Sequence, residues 1–385
     1  MDKMTQRAHW PRPLGRGPGR PVRWMMQVAL MQVLASALWG CDPFNATFDD
    51  VEDARYYEAA ELVAPGERGP ELVVMDWNVK FGGARIDFWF DCHGERVIMD
   101  EEEVLENLEG LAMKIRQVDP DILLVQEIDI DSKRVAYIDQ VQWLLDHSDL
   151  NYAVFASQWR AHHVPTDGIG RVNMGNAILS KYPIRDAQRI AMPQISTNDA
   201  LTNYFYLKRH ILTSVVEVPD YGDLHVLNVH TDAFAQDGTK EVQIDLFKDE
   251  LDRIDRAGGV FVAGGDLNTL PPGSVKQNDF PDSICVSEDF QADDFRQETD
   301  ALSELYAAYT PAIALADYQA DNAPYFTHST QGGTFWNRKL DYLFTNGTFV
   351  AGSGLTHQDA ASGGVDTMEL SDHAPITVRF ALEAP

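Results

Sequence analysis

Cysteine and basic residues are both scarce in this sequence, and each scarcity excludes a class of protein. Three cysteines in 385 residues cannot build the disulfide framework that holds small secreted domains together. The sequence also supplies no cluster of cysteines and histidines for a zinc ion. Lysine and arginine number 31 against 60 acids, which leaves a formal net charge of -29. Such a body gains nothing from the general attraction to phosphate backbones on which non-specific nucleic-acid binding depends.

Long apolar runs are also scarce, and the run near the N-terminus is too short to span a bilayer. It extends from Met25 to Trp39, behind an arginine-rich stretch that ends at Arg23, whereas a spanning helix needs about 20 apolar residues. This arrangement is typical of a signal peptide. The run closes on the letters LWGC, whose last residue is Cys41.

The LWGC sequence resembles the lipobox of bacterial lipoproteins. That resemblance implies that residues 1–40 are removed and that Cys41 carries the lipid of an exported, membrane-anchored protein, in the periplasm or at the cell surface. An ordinary signal peptide or a short anchor, with Cys41 incidental, is the alternative. Cys92 and Cys285 would then remain, either paired in an oxidising compartment or present as two buried thiols.

Beyond Cys41 the sequence divides into a tether and one domain. Residues 41–70 are acidic and end in APGERGP, a Pro/Gly stretch that suits a flexible tether. Over residues 71–385 strand patterns alternate with helical ones, such as 101–118, where apolar residues recur at helical spacing before Pro120. A second helix is predicted at 241–254, and strands at ELVVMDWNV, DILLVQEI, YAVFAS, MGNAILS, RHILTSVVEV, DLHVLNVH, GVFVAGGDLN, KLDYLFTN and APITVRFAL. Many strands and few helices predict two packed β-sheets with helices outside.

Polar residues recur where these predicted strands begin or end, which is where a rigid scaffold presents functional groups. Each of them alone is more typical of a cap or turn than of a catalytic site. Their joint appearance in one order is what points to chemistry. The set consists of Asn78, Glu127, His230, Asp266, Asn268, Asp341, Asp372 and His373.

This ordered set resembles the endonuclease/exonuclease/phosphatase superfamily, in particular its deoxyribonuclease I-like and neutral sphingomyelinase-like branches. The resemblance covers residues 71–382 and is strongest at DILLVQE, GGDLN, KLDYLF and LSDHAPI. It implies an α/β fold, a four-layer α/β sandwich in which two packed mixed β-sheets are flanked by helices. The site is then expected at the top of both sheets.

The resemblance also implies a divalent cation. Glu127 would be the principal Mg²⁺ ligand, with Asn78 close by and Asp372 completing the acidic cluster. Mg²⁺ prefers one or two carboxylates together with phosphate and water oxygens, which this residue set could supply. Mn²⁺ is a possible substitute, and the sequence leaves open whether one or two ions act.

The remaining residues take catalytic roles by the same resemblance. Asp266 would orient or deprotonate the attacking water, and Asn268 would donate to a phosphoryl oxygen. His373 would be the second basic group, held by Asp341, and family members differ in which group is the base. His230 matches a histidine near the leaving group, where it would act as a general acid. Its alternative is a histidine that only forms hydrogen bonds at a strand end.

These expectations predict a metal-dependent phosphoester hydrolase, specifically a phosphodiesterase that acts on small or lipid phosphodiesters such as phospholipids. A secreted endonuclease or exonuclease is the first alternative. Duplex nucleic acid is the less favoured substrate because few lysines or arginines cluster around the motifs. A non-catalytic surface lipoprotein that binds a ligand is the second alternative. We expect a monomer.

Two other features bear on the site. The segment SQWRAHHVPTDGIGR could line a substrate cleft, but an exposed polar loop is the favoured interpretation. Arg338 precedes the KLDYLF motif, and it could clamp phosphate with two hydrogen bonds or form a surface ion pair.

Overall fold

The computed structural model describes residues 42–64, 69–91, 94–280, 294–330, 335–358 and 364–382. The apolar run before Cys41, the lipobox cysteine itself, Cys92 and Cys285 all lie outside these ranges. Within them, none of the helices has the length and apolarity that crossing a membrane requires. The chain divides into two units after residue 45, and the second, Ala46–Pro385, is compact and contains every strand and helix below.

The second unit is built mainly of strands. In chain order they are β1 (Val51–Asp53), β2 (Arg55–Glu58), β3 (Glu71–Asn78), β4 (Ile122–Asp129), β5 (Tyr152–Val164), β6 (Gly170–Ser180), β7 (Ile184–Ala191), β8 (His210–Val218), β9 (Gly222–His230), β10 (Phe261–Asp266), β11 (Thr310–Pro311), β12 (Asp341–Thr345), β13 (Leu355–Thr356) and β14 (Ile376–Ala381). The α-helices are α1 (Glu101–Val118), α2 (Gln140–Asp146), α3 (Ala200–Phe205), α4 (Thr239–Arg256), α5 (Ser303–Ala308) and α6 (Leu315–Ala320).

The strands form two mixed sheets of seven strands each. The first has the order β1-β7-β8-β9-β10-β12-β11, and the second has the order β13-β14-β3-β4-β6-β5-β2. The pairs β9/β10 and β3/β4 are parallel, while the other pairs are antiparallel. This arrangement confirms the predicted four-layer α/β sandwich. The carboxyl ends of β3 and β4 meet at one edge of their sheet, as do those of β9 and β10.

Side-chain alternation along the strands divides the apolar core into three layers. The layer between the sheets contains Leu72, Val74, Ile122, Leu124, Ile178, Leu212, Val216, Leu224, Val226, Val262 and Leu343. Outside the second sheet, Met75, Trp77, Leu123 and Val125 pack in one cluster with Leu108, Leu111, Ile115 and Leu144 of α1 and α2. Outside the first sheet, Leu227, Val229, Phe261, Ala263 and Phe344 pack with Ile244, Phe247 and Leu251 of α4.

Helix α1 begins and ends where its local sequence dictates. The Asp100 side chain accepts from the Glu103 N–H at 3.0 Å, and the Glu103 side chain accepts from the Asp100 N–H at 3.1 Å. This capping box satisfies backbone donors of the first turn. At the other end Asp119 adopts φ 53°, and Pro120 follows it. The predicted helix at 101–118 is therefore confirmed at both ends.

The predicted tether is wrong at residues 51–58. Strand β1 pairs with β7, and β2 pairs with β5, so each sheet gains an edge strand from residues 51–58. Tyr57 is buried, and its hydroxyl donates to Asp139 Oδ2 at 3.1 Å. Both strands are short and carry exposed charged residues beside one buried tyrosine, as edge strands commonly do. The folded domain thus begins before residue 71.

The predicted exposed loop within SQWRAHHVPTDGIGR is also wrong. Residues 152–164 and 170–180 form one long antiparallel hairpin, β5 and β6, with bulges that keep the two strands paired. Trp159 of this hairpin donates from Nε1 to the Phe205 carbonyl at 2.8 Å. Arg338 is not on the surface either: only 1% of it is exposed, and its guanidinium lies 4.8 Å from the Phe280 ring centre.

Candidate active site

A polar layer closes the space between the two sheets directly below the predicted site. Gln126 donates from Nε2 to Asp76 Oδ1 at 2.7 Å and to Asn228 Oδ1 at 2.8 Å. Asn228 in turn donates to the Val125 and Ala177 carbonyls of the opposite sheet. All three side chains are fully buried. Because a buried amide is costly unless its hydrogen bonds are made, this network holds the two sheets in one register.

Glu127 owes its position to a bulge in β4. Its φ is +54°, in the left-handed region that a glutamate rarely adopts, and the register with β6 slips between Val125 and Ile128. The slip allows Gln126 to bind in the sheet interface while the next side chain also turns toward the site. Glu127 Oε1 accepts from Asn78 Nδ2 at 3.3 Å and lies 3.9 Å from His230 Nε2. Strained backbone of this kind is typical of functional sites.

Asn78 connects the two sides of the site. Besides contacting Glu127, its Nδ2 donates to Asp266 Oδ2 at 3.0 Å. Its Oδ1 accepts from the Lys80 N–H at 3.0 Å, and its backbone carbonyl accepts from Ser371 Oγ at 2.8 Å. These contacts make Asn78 a bridge that positions both carboxylates. Its predicted place close to the metal ion stays a prediction.

Close packing of β9 against β10 brings His230 and Asp266 side by side as a register pair. Gly265 permits the approach, since its φ is +133° and a Cβ atom would come within 1.9 Å of the Val229 carbonyl oxygen. Asn268 then turns back at φ +46°, so that its N–H donates to Asp266 Oδ1 at 2.9 Å. The backbone of the GGDLN motif therefore explains the positions of both of its polar residues, Asp266 and Asn268.

His373 lies between two buried carboxylates. Its Nδ1 is 2.8 Å from Asp341 Oδ2, and its Nε2 is 3.6 Å from Asp266 Oδ2. Burial on its own lowers the pKa of His373, but Asp341 and Asp266 outweigh it and raise the pKa to about 10. Burial raises the pKa of Asp266 to about 7, against the lowering effect of His373. His373 therefore keeps its proton at neutral pH, and the Asp266 carboxyl beside it gains or loses a proton near pH 7.

His230 has a different electrostatic setting. Burial, together with Arg209 and His373, holds the pKa of His230 well below its usual range. Gln158 Nε2 lies 3.4 Å from His230 Nδ1, which makes Nδ1 the acceptor and leaves the ring proton on Nε2. That Nε2 is 3.5 Å from Asp266 Oδ2. The neutral ring is thus set to donate a hydrogen bond from Nε2, and the general-acid role of His230 stays a prediction.

Glu127 and Asp372 form the open face of the site, with 25% and 15% of their side chains exposed, whereas Asp266, Asp341 and His373 are buried behind them. Burial and then Asp372 raise the pKa of Glu127. Burial alone would raise the pKa of Asp372, but Lys80 and His373 outweigh it and lower the pKa. Two partly exposed carboxylates, one of them in contact with the Asn78 amide, suit a hard divalent cation.

Two groups of ligand-type side chains also converge within 4.8 Å, namely His328 with Asp372 and His373, and Asp266 with Asp341 and His373. The second group is already joined by the hydrogen bond between His373 and Asp341. Glu127 belongs to neither group. Asp372 belongs to the first group, and Glu127 and Asp372 are the carboxylates of the site that are partly exposed to solvent, so we retain this pair as the candidate for an ion.

Sequence reasoning missed several residues that complete the site. Lys80 lies 3.8 Å from Asp372 Oδ2, and Arg209 lies 3.2 Å from Asp232 Oδ1 while lowering the pKa of His230. Asp76 lies under His373, and burial raises its pKa well above the usual range. An acid inside the apolar run VVMDW was the one available signal for Asp76. No comparable signal marked Lys80 or Arg209.

Comparison with known proteins connects this geometry to a family. The sequence model of the Endonuclease/Exonuclease/phosphatase family matches residues 77–373. A search of curated protein sequences found no match. An endonuclease/exonuclease/phosphatase from Beutenbergia cavernae shares 19% identity over 82% of this chain and 72% of its own, with a TM-score of 0.52. The human Nocturnin catalytic domain with bound sulfate shares 16% identity over 86% of this chain and 98% of its own, with a TM-score of 0.51.

A functionally unknown conserved protein from Enterococcus faecalis is similar to the same degree. It shares 15% identity over 81% of this chain and 100% of its own, with a TM-score of 0.52. At such identities the structural likeness shows a common fold and leaves substrate open. The family match rests on the sequence, and it spans every predicted catalytic and metal-binding position.

Proposed function

The chain belongs to the endonuclease/exonuclease/phosphatase family, whose members are divalent-metal-dependent phosphoester hydrolases, and from that premise we propose that it hydrolyses small or membrane-presented phosphodiesters. One observation carries the proposal. The carboxylates of Glu127 and Asp372 face the opening of the site, and Asp266, His373 and His230 lie directly behind them. Groups from separate strands thus converge on a space in which a phosphate could sit.

The proposed reaction is attack of a water molecule on phosphorus. A divalent cation held by Glu127 and Asp372 would supply charge neutralisation on the phosphate oxygens. Asp266 would take the proton of the attacking water, and the His373 imidazolium beside it would stabilise the charge that develops. His230 would donate a hydrogen bond from Nε2 to the leaving-group oxygen, whose proton comes from solvent.

The rim of the site supports a membrane-presented substrate. Large apolar side chains are exposed on segments that follow strands ending at the site edge: Trp89, Tyr137, Leu201, Phe234 and Val275, at 42%, 53%, 69%, 44% and 86%. Isolated exposed apolar residues are ordinary, but five on segments at the same edge of the two sheets would suit contact with a lipid interface.

Basic side chains beside the site are already engaged. Lys80 contacts Asp91 and Asp372, and Arg209 contacts Asp232. A nuclease reads a duplex through lysines and arginines that meet successive phosphates. Lys80 and Arg209 are buried singly, so they can meet one phosphate at most and form no row of charges along a duplex. This favours a small or lipid diester over duplex DNA, and a lipid on Cys41 would hold the site beside a membrane.

The experiment is a substrate panel with the purified protein. Phosphodiesters and phosphomonoesters are assayed with Mg²⁺, with Mn²⁺ and in excess EDTA. We expect diester turnover that EDTA and His373→Ala both abolish. Faster turnover of monoesters would identify a phosphatase, and no turnover of any ester would favour a ligand-binding module. Phe234→Ser should slow hydrolysis of vesicle lipids while leaving a soluble diester unaffected.

A further inference from the structure

The ammonium group of Lys80 lies inside the acidic cluster of the site. Only 4% of this residue is exposed. Its Nζ donates to Asp91 Oδ2 at 3.0 Å and to the Ile86 carbonyl at 3.2 Å, and it lies 3.8 Å from Asp372 Oδ2. A positive charge is therefore built into the protein next to one of the two carboxylates that would hold a divalent cation.

The backbone is strained at the position that carries this charge. Lys80 and Phe81 both have φ +45°, and two successive bulky residues in the left-handed region are rare. Packing secures the turn, since Phe81 is fully buried and meets Phe88 edge-on at 4.8 Å. The segment then returns so that Asp91 Oδ2 also accepts from the Phe88 N–H at 2.8 Å. The segment from Phe81 to Asp91 thus closes a loop around the ammonium group.

The formal charges around the site indicate how the Lys80 ammonium affects cation binding. Glu127, Asp372, Asp91, Asp266 and Asp341 bring five negative charges to the site, and Lys80, Arg85 and the His373 imidazolium bring three positive charges. The remainder of two negative charges is balanced by one divalent ion. Without Lys80 the cluster would favour additional cation binding, because like-charged carboxylates held close together repel one another.

We propose that Lys80 is a built-in cation of the phosphate site, so that the protein binds one divalent ion and Lys80, in place of a second ion, meets a non-bridging phosphate oxygen. This inference rests on the proposed function, since it assumes a phosphoester in the site. A purely structural Lys80–Asp91 pair is the competing explanation. The two differ in what removal of the ammonium does to metal binding.

The experiment measures ion binding to the full-length protein in the absence of substrate. Equilibrium dialysis or electron paramagnetic resonance with Mn²⁺ gives the number of ions and their Kd, and hydrolysis is assayed separately. The variant is Lys80→Met, which keeps the length of the side chain and removes its charge. Lys181→Met is the matched control, because Lys181 also pairs with an aspartate, Asp119, and lies at the opposite sheet edge.

We expect one Mn²⁺ per wild-type chain. Lys80→Met should bind Mn²⁺ about tenfold more tightly, or bind a second ion, since a repelling unit charge a few ångströms away is removed. Its hydrolysis should nevertheless fall at least ~30-fold, as for a lost charge on the phosphate. Lys181→Met should match the wild type in both measurements. Slower hydrolysis by a Lys80→Met protein that melts like the wild type and binds Mn²⁺ at least as tightly excludes a general loss of structure or of the metal ion as the cause.

Two results would overturn the inference. The first is a wild-type protein that binds two ions or no ion, a measurement that does not depend on the folding of a variant. The other is a folded Lys80→Met protein with wild-type ion number and Kd. If Lys80→Met melts far below the wild type, Lys80→Gln takes its place. Should the ion count and the Lys80 effect hold while the wild type cleaves no phosphoester, only the proposed function fails.

Discussion

Nδ1 of His373 lies 2.8 Å from Oδ2 of Asp341, and this contact fixes which nitrogen of the ring faces Asp266. A carboxylate that accepts from Nδ1 leaves Nε2 pointing to the reacting groups. Asp341→Asn keeps the shape but offers a weaker acceptor. We expect kcat to fall at least ~100-fold in Asp341→Asn, as in His373→Ala and Asp266→Asn, the lower range for lost proton-transfer groups. An Asp341→Asn enzyme within tenfold of wild type would refute the orienting role.

The same group makes stability depend on pH. The folded-state pKa of His373 is raised from 6.5 to about 10, so the folded protein holds this proton to higher pH than the unfolded chain. The stabilisation is full below about pH 6.5 and is lost as pH rises through about 10. We expect the metal-free protein to lose stability over this window, and His373→Asn to flatten the loss. Urea unfolding at several pH values measures it, and parallel curves for both proteins would contradict it.

Metal binding should depend on Glu127. Glu127→Gln removes one formal charge from the open face of the site, so the Kd for Mg²⁺ should rise about tenfold or more and activity should fall at subsaturating Mg²⁺. Glu109→Gln is the control, because Glu109 is a half-exposed glutamate that pairs with Arg116 on α1. Calorimetric titration compares them. Full turnover in excess EDTA would contradict a metal-dependent reaction.

Lipid attachment should depend on Cys41. Its thiol is the one acceptor that the lipobox-like sequence offers, so Cys41→Ala should leave the protein unlabelled after growth with an alkyne fatty acid. The mutant should also shift from the membrane fraction to the soluble fraction. Equal labelling of wild type and mutant would contradict the prediction that Cys41 is lipidated.

Features that depend on local sequence could be predicted, and features that depend on distant partners could not. Helix α1 follows from its apolar spacing and from Pro120, and the strand-end residues follow from motif order. Strands β1 and β2 look like an acidic tether because their order comes from pairing with β7 and β5, more than 90 residues away. Short edge strands with charged residues carry little local signal.

The candidate site shows the same division. Glu127 was identified as a strand-end acid, but nothing in ILLVQE reveals the positive φ that turns it into the site beside buried Gln126. A lysine two residues after a strand is typical of a solvated turn. The burial of Lys80 depends instead on Asp91 and on aromatic packing further along the chain.

The central claim, a preference for small or membrane-presented phosphodiesters, is tested most directly by one matched assay. The kcat/KM for sphingomyelin or phosphatidylinositol in mixed micelles is compared with that for plasmid nicking, at the same Mg²⁺ concentration and ionic strength. We expect the lipid diester to be the better substrate, because the protein carries a net charge of -29 and Lys80 and Arg209 beside the site are buried singly. Faster nicking that falls steeply with added salt would identify a nuclease and contradict the claim.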